Sequence, residues 1–118
     1  MSPGKVVYTC ILKACVRFKK VKTMLHVYEE MISTGVTPDN VLYQTVIYGC
    51  LSGKEYLEAG KILLTVLQKG PMIKKEMVNK VLEALCILLE RENGENEEVE
   101  RLLLQICLEL KRKISLGG

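Results

Sequence analysis

The chain contains only three prolines, one phenylalanine and one histidine, and its five cysteines include no close Cys-x-x-Cys pair. Each scarcity excludes something. With proline and phenylalanine rare, a core must come from the plentiful leucine, isoleucine, valine and methionine, and such an aliphatic core suits helix packing. Cys10, Cys15, Cys50, Cys86 and Cys107 are spaced by 5, 35, 36 and 21, and His26 is the only imidazole. A closed zinc site would need unusual geometry, so most of these cysteines are expected to be small core hydrophobes. An odd cysteine count, with no signal peptide to be found, points to an intracellular reducing compartment. No apolar run is long enough for a bilayer, since Leu85 to Leu89 is soon followed by Glu90 and Arg91, and the chain is expected to be soluble without a membrane partner. His26 has no motif-fixed Cys or carboxylate beside it, Glu29 and Glu30 are too local for a paired-acid site, and there is no phosphate-cradling glycine loop. No turnover, cofactor or metal is expected.

What remains is 118 residues, 48% apolar and 26% charged, a balance typical of one compact globular domain. The net charge of +3 does not by itself identify a nucleic-acid partner. Its distribution is uneven: residues 1–70 carry nine Lys/Arg against five Asp/Glu, whereas residues 71–118 carry eight against nine. An anionic partner would therefore favour the first part.

Laying the chain on itself at a shift of 35 organises it. Val7 meets Leu42, Tyr8 meets Tyr43, Ile11 and Leu12 meet Val46 and Ile47, Cys15 meets Cys50, Tyr28 meets Leu63, Met31 meets Val66 and Gly35 meets Gly70. A second shift carries Val46 and Ile47 to Val81 and Leu82, so the unit starts a third time. Within each unit the apolar positions follow helical spacing. Val7, Ile11, Leu12 and Cys15 make one stripe; Val21, Met24, Leu25, Tyr28, Met31 and Ile32 make another after a basic break at Arg17 to Lys20. Ser52 to Lys54 plays the same part before Leu57, Ile62, Leu63, Val66 and Leu67. The third unit has faces at Met77, Val78, Val81, Leu82, Leu85, Leu88 and Leu89, then at Val99, Leu102, Leu103, Ile106 and Leu110.

The boundaries have physical causes. Gly35 can take the left-handed conformation that ends a helix, Pro38 discourages continuation, and Asp39 can accept amide hydrogen bonds where the next helix begins. Gly70-Pro71 supplies a second stop, and Asn93-Gly94 separates the last two helices. Glu95, Glu97 and Glu98 then fall near a helix N-terminus, with Lys111, Arg112 and Lys113 at its other end, each complementing the helix dipole. One hairpin cannot cover both its apolar faces, so neighbours must stack. The expected fold is all-α: a short right-handed helical-hairpin solenoid of about three hairpins, forming one domain over residues 1–118. Its units are 5–39, 40–74 and a diverged repeat or capping hairpin at 75–118.

The stretch VVYTCILKACVRFKKVKTMLHVYEEMISTGVTPD, residues 6–39, resembles the pentatricopeptide repeat through Tyr8, Leu12, Glu30, Met31, Gly35, Pro38 and Asp39. NVLYQTVIYGCLSGKEYLEAGKILLTVLQKGP resembles it again through Tyr43, Ile47, Gly49, Ala59 and Gly70, and degenerates after Pro71. Tetratricopeptide repeats, the nearest competitor, have a 34-residue period and lack the valine-threonine-proline-aspartate ending.

The resemblance implies binding of single-stranded RNA along the first helices, one base per repeat, possession of a guanine preference in the first repeat, and residence in a mitochondrion or plastid. It implies that Thr9 and Asp39 read the base with Val6 in support. In the second repeat it implies Gln44 and Lys74 as readers with Val41 in support. Lys74 departs from the family's small polar or acidic terminal reader. Asn79 is the matching third reader, beside an unsuitable Glu76. The residues themselves allow more than one reading. Val6 and Thr9 share a face by their spacing, and Thr9 and Asp39 offer complementary donor and acceptor capacity. Asp39 also suits a helix cap, Val6 and Val41 suit packing, and Tyr8 and Tyr43 suit the core better than base stacking. Lys19, Lys20, Lys22 and Lys54 are phosphate-contact candidates or plain surface charges. The alternative function is a helical protein-interaction or scaffold module without RNA binding, in which a protein partner or self-association replaces the nucleic acid.

Overall fold

The structure, a computed structural model, describes residues 4–70, 73–91 and 95–117. The described chain is all-α: α1 (Lys5–Arg17), α2 (Val21–Ser33), α3 (Asn40–Ser52), α4 (Tyr56–Lys69), α5 (Lys75–Arg91) and α6 (Glu97–Gly117), six helices following one another as about three helix-turn-helix pairs. They fall into two compact units, Met1–Glu55 and Tyr56–Gly118.

In the first unit α1 and α2 pack on each other and α3 packs on both. The buried set is Tyr8, Leu12 and Cys15 from α1, Met24, Tyr28 and Met31 from α2, and Leu42, Tyr43, Val46, Ile47, Gly49 and Cys50 from α3. Tyr28 and Tyr43 meet edge to face, with ring centroids 6.5 Å apart and planes at 68°, a favourable quadrupole arrangement. Burial pushes both phenols up, and Tyr43 and Cys50 add to the effect at Tyr28. Gly49 on α3 and Gly53 just past its end set how closely it approaches α1 and α2. A β-carbon on Gly49 would collide with the Met24 sulfur and lie 2.9 Å from Val16 Cγ2; one on Gly53 would lie 2.8 Å from Val21 Cβ.

The three helices of this unit end alike. Lys20 N–H donates to Cys15 O at 2.8 Å and Lys19 N–H to Val16 O at 3.2 Å; Val36 and Gly35 repeat the pair with Met31 and Ile32, as do Glu55 and Lys54 with Cys50 and Leu51. This two-bond cap requires a left-handed residue just beyond the helix. Lys19 (φ 58°), Gly35 (φ 88°) and Lys54 (φ 63°) supply it. Only the middle one is glycine, so each lysine carries a backbone cost of roughly 1–2 kcal/mol.

In the second unit α4 packs on α5 and α6, which also pack on each other. Ala59, Ile62, Leu63, Val66 and Leu67 are buried here, as are Val78, Val81, Ala84 and Leu85 of α5 and Val99, Leu102 and Ile106 of α6. Gly60 is the close-approach residue, since a β-carbon there would lie 2.7 Å from Leu102 Cδ2 and 2.9 Å from Leu85 Cδ1. Asn96 Oδ1 accepts from Val99 N–H at 3.2 Å and starts α6, with Glu97, Glu98 and Glu100 in the favourable first turn. Lys61 lies 3.6 Å from Glu58 and 3.3 Å from Glu98.

Several expectations need correction. Val7 and Ile11, placed in one stripe with Leu12 and Cys15, are exposed while Tyr8 takes the buried place; α1 has apolar residues on two faces, and periodicity cannot say which is covered. Only Cys15 and Cys50 are buried, whereas Cys10, Cys86 and Cys107 are exposed because they fall out of phase with the buried positions. Arg17 and Ser52, read as parts of breaks, are the last residues of α1 and α3. Lys111, Arg112 and Lys113 do not end α6, which continues to Gly117. Arg112 instead pairs with Glu109 at 2.9 Å. Gly70 has the left-handed φ of a helix stop, 97°. Its neighbour Pro71 and the Asn93-Gly94 joint lie outside the described residues.

Candidate nucleic-acid interface

Thr9 and Asp39, 30 positions apart in sequence, contact different parts of Lys5, its backbone carbonyl and its ammonium. The Thr9 hydroxyl donates to the Lys5 carbonyl at 2.8 Å, one turn back along α1. The Lys5 ammonium lies 3.0 Å from Asp39 Oδ2. The other Asp39 oxygen, Oδ1, accepts from Leu42 N–H at 2.8 Å and so caps α3. The Leu42 amide, and after it the Lys5 ammonium, hold the Asp39 carboxyl below the usual carboxylate range. A carboxylate has about four lone-pair sites, so these two contacts leave acceptor capacity on an exposed group. Lys5 was missed by sequence reasoning. The signal that could have found it is its place four residues before Thr9, one helical turn away.

Val6 and Val41 lie on α1 and α3 at 76% and 58% exposure. Packing, the structural role considered for them, is therefore not what they do within the described chain. Gln44 is half-buried on α3. Tyr8 and Tyr43 are buried, and among the described residues nothing hydrogen-bonds to the Tyr43 hydroxyl.

Lys19, Lys20 and Lys22 lie at the turn from α1 to α2, and the approach of Gly53 to Val21 brings Lys54 to the same end. All four are exposed, and no ion pair among the described residues holds them. Ten residues of helix and turn separate Thr9 from Lys19, roughly 15 Å at the helical rise. The lysines thus form a basic end remote from the Thr9–Asp39 corner.

In the second unit Lys74 is exposed just before α5, where its carbonyl accepts from Met77 N–H at 3.0 Å and Val78 N–H at 3.2 Å. Asn79 is exposed on α5 and borders an apolar groove of about 440 Å³ together with Ile73, Val78, Leu82, Leu110 and Ile114. Among the described residues no group of three His, Cys, Asp or Glu could hold a metal ion, and no helix is long and apolar enough to cross a membrane.

Comparison with known proteins gives two findings. Residues 3–52 match the model of the PPR repeat family. The fold is similar to that in the crystal structure of the pentatricopeptide repeat protein PPR10 from maize, with a TM-score of 0.63, 25% identity and 93% of this chain covered. The chain spans 16% of that protein's length. None of the curated proteins matches.

Proposed function

We propose that this chain, whose N-terminal region belongs to the pentatricopeptide repeat family, is a single-stranded RNA-binding module whose first repeat reads guanine. The observation that carries the reading is the exposed Asp39 carboxylate, held by the Leu42 amide and by the ammonium of Lys5, which lies one turn before Thr9 on α1. Guanine presents two adjacent donors, N1–H and N2–H, and the free acceptor sites of Asp39 match them. Adenine would set its N1 lone pair against the carboxylate. The Thr9 hydroxyl, with its hydrogen on the Lys5 carbonyl, keeps lone pairs for a further donor, and exposed Val6 offers an aliphatic surface to the base plane.

The second unit of recognition is Gln44 with Lys74, supported by Val41, and Asn79 is the candidate beyond it; repeats 5–39, 40–74 and 75–118 are retained as the proposed division. Lys19, Lys20, Lys22 and Lys54 then serve the phosphate backbone. Binding is weak and salt-sensitive, because few phosphates are contacted and the supports are not aromatic. An organellar role in RNA processing, stability or translation, in a mitochondrion or plastid, follows from the family.

Fluorescence anisotropy with short RNAs that differ at one base tests this, comparing the parent with Thr9→Ala and Asp39→Asn. Asparagine can still cap α3, so a loss of guanine preference in Asp39→Asn with an unchanged helical circular dichroism spectrum reports recognition. If guanine has no advantage, or keeps it in both variants, base reading fails and the protein-interaction reading takes its place.

A further inference from the structure

The stripe by which α3 docks on the first hairpin is Leu42, Val46, Gly49 and Gly53, spaced i, i+4, i+7 and i+11 along one face. Leu42 and Val46 are fully buried, and the two glycines approach Val16, Val21 and Met24. Thirty-five residues earlier the same stripe reads Val7, Ile11, Ala14 and Phe18. There it lies open: Val7 is 47% exposed, Ile11 40% and Phe18 69%. So α1 carries the docking face that α3 uses, and among the described residues nothing covers it.

A receiving face is also open. On α1, Lys5 takes Asp39 and Val16 touches the α3 stripe. Two periods on, these positions are Lys75 and Cys86, with Asn79 and Leu82 between them on α5. Lys75, Asn79 and Leu82 border the apolar groove described above, and Asn79, Leu82 and Cys86 line an adjoining hollow of about 530 Å³. Among the described residues α5 therefore offers, uncovered, the counterpart of the α1 surface that receives α3 in the first unit.

We infer that two copies of this chain associate head to tail, the α1 stripe of one seated on the α5–α6 groove of the other. The contact continues the one already made inside the first unit. It is weaker than that contact for two reasons. Gly4 stands where Asp39 precedes α3, so no ion pair to Lys75 forms, and Phe18 stands where Gly53 allows close approach. Because the two faces differ, the contact is heterologous and can extend beyond a dimer. It does not depend on RNA.

Sedimentation velocity without RNA tests it. The weight-average sedimentation coefficient of the parent rises as concentration goes from about 10 µM to about 1 mM, the range of a weak specific contact. Ile11→Glu on the stripe and Ile114→Glu on the groove each abolish that rise; Ile114 is 75% exposed, so its replacement leaves the fold intact. An equimolar mixture of the two variants regains association but stops at the dimer, since each brings one intact face. A parent that stays monomeric throughout overturns the proposal. Insensitivity to either substitution does so too, as does failure of the mixture to associate, which would mean a symmetric contact.

Discussion

In the first unit α1, α2 and α3 are each 13 residues long and end in the same two-bond cap. In the second, α4, α5 and α6 run to 14, 17 and 21 residues. The period of 35 is two 13-residue helices plus the turns at 18–20 and 34–39, and a turn that fixes its own left-handed residue fixes the length of what precedes it. Where the caps recur, a position in one helix pair maps onto its counterpart 35 residues on. The correspondence still holds at the start of α5, Lys75, and slips at α6, which begins at Glu97 rather than at position 91.

The largest way to break this comparison is at the close-approach glycines. Gly49→Val is expected to destabilise the protein by about 3 kcal/mol, because its branched side chain meets Met24 and Val16 in a packed interface. Gly60→Val should cost less, about 1–2 kcal/mol, since the atoms in its way are leucine tips that can rotate. Urea unfolding of both variants decides it; equal losses would remove the distinction between the units. Next, Gly35→Val should cost about 1–2 kcal/mol through its left-handed φ alone, there being nothing within 4 Å of its would-be β-carbon. An unchanged melting temperature would count against that cap.

Tyr43→Phe is expected to stabilise by about 1 kcal/mol, because it removes a buried hydroxyl with no partner among the described residues; a loss on thermal melting would point to a partner for it. Lys19→Gly and Lys54→Gly should each add about 0.5 kcal/mol, relieved strain outweighing the greater freedom of the unfolded glycine. A loss at either site would show that the lysine side chain does more than sit in the turn.

The smallest effect concerns Asp39. Its folded carboxyl titrates below the ordinary value, so its contribution to stability is complete above about pH 3.9 and is lost as pH falls through the folded value. In Lys5→Met, carbon-detected NMR titration should find the carboxyl moved part of the way back up, since the Leu42 amide is the larger cause. Full return to the ordinary range would reverse that order.

Much of this was legible in the sequence, for identifiable reasons. Helices, their period, the Gly35 stop and the Asp39 cap are local properties of backbone and spacing. What failed was non-local. Val7 and Ile11 look like core residues because α1 is apolar on two faces, of which only the one with Tyr8, Leu12 and Cys15 is buried. The lysines at left-handed φ carry no glycine to announce them, and nothing after Lys113 signals that α6 continues. The Lys5–Asp39 pair joins a long flexible side chain to a residue 34 positions away, and only the place of Lys5 one turn before Thr9 hinted at it. For the candidate site, the residues could be nominated from the repeat, but their convergence required coordinates.

Asp39 starts α3 with one oxygen and offers the other at the surface. A molecule that turns this carboxylate away from its present orientation loosens the Leu42 amide, which Oδ1 otherwise holds at 2.8 Å. Occupancy of the corner becomes readable as a change in deuterium uptake at that single position, a built-in gauge that needs no label on the ligand.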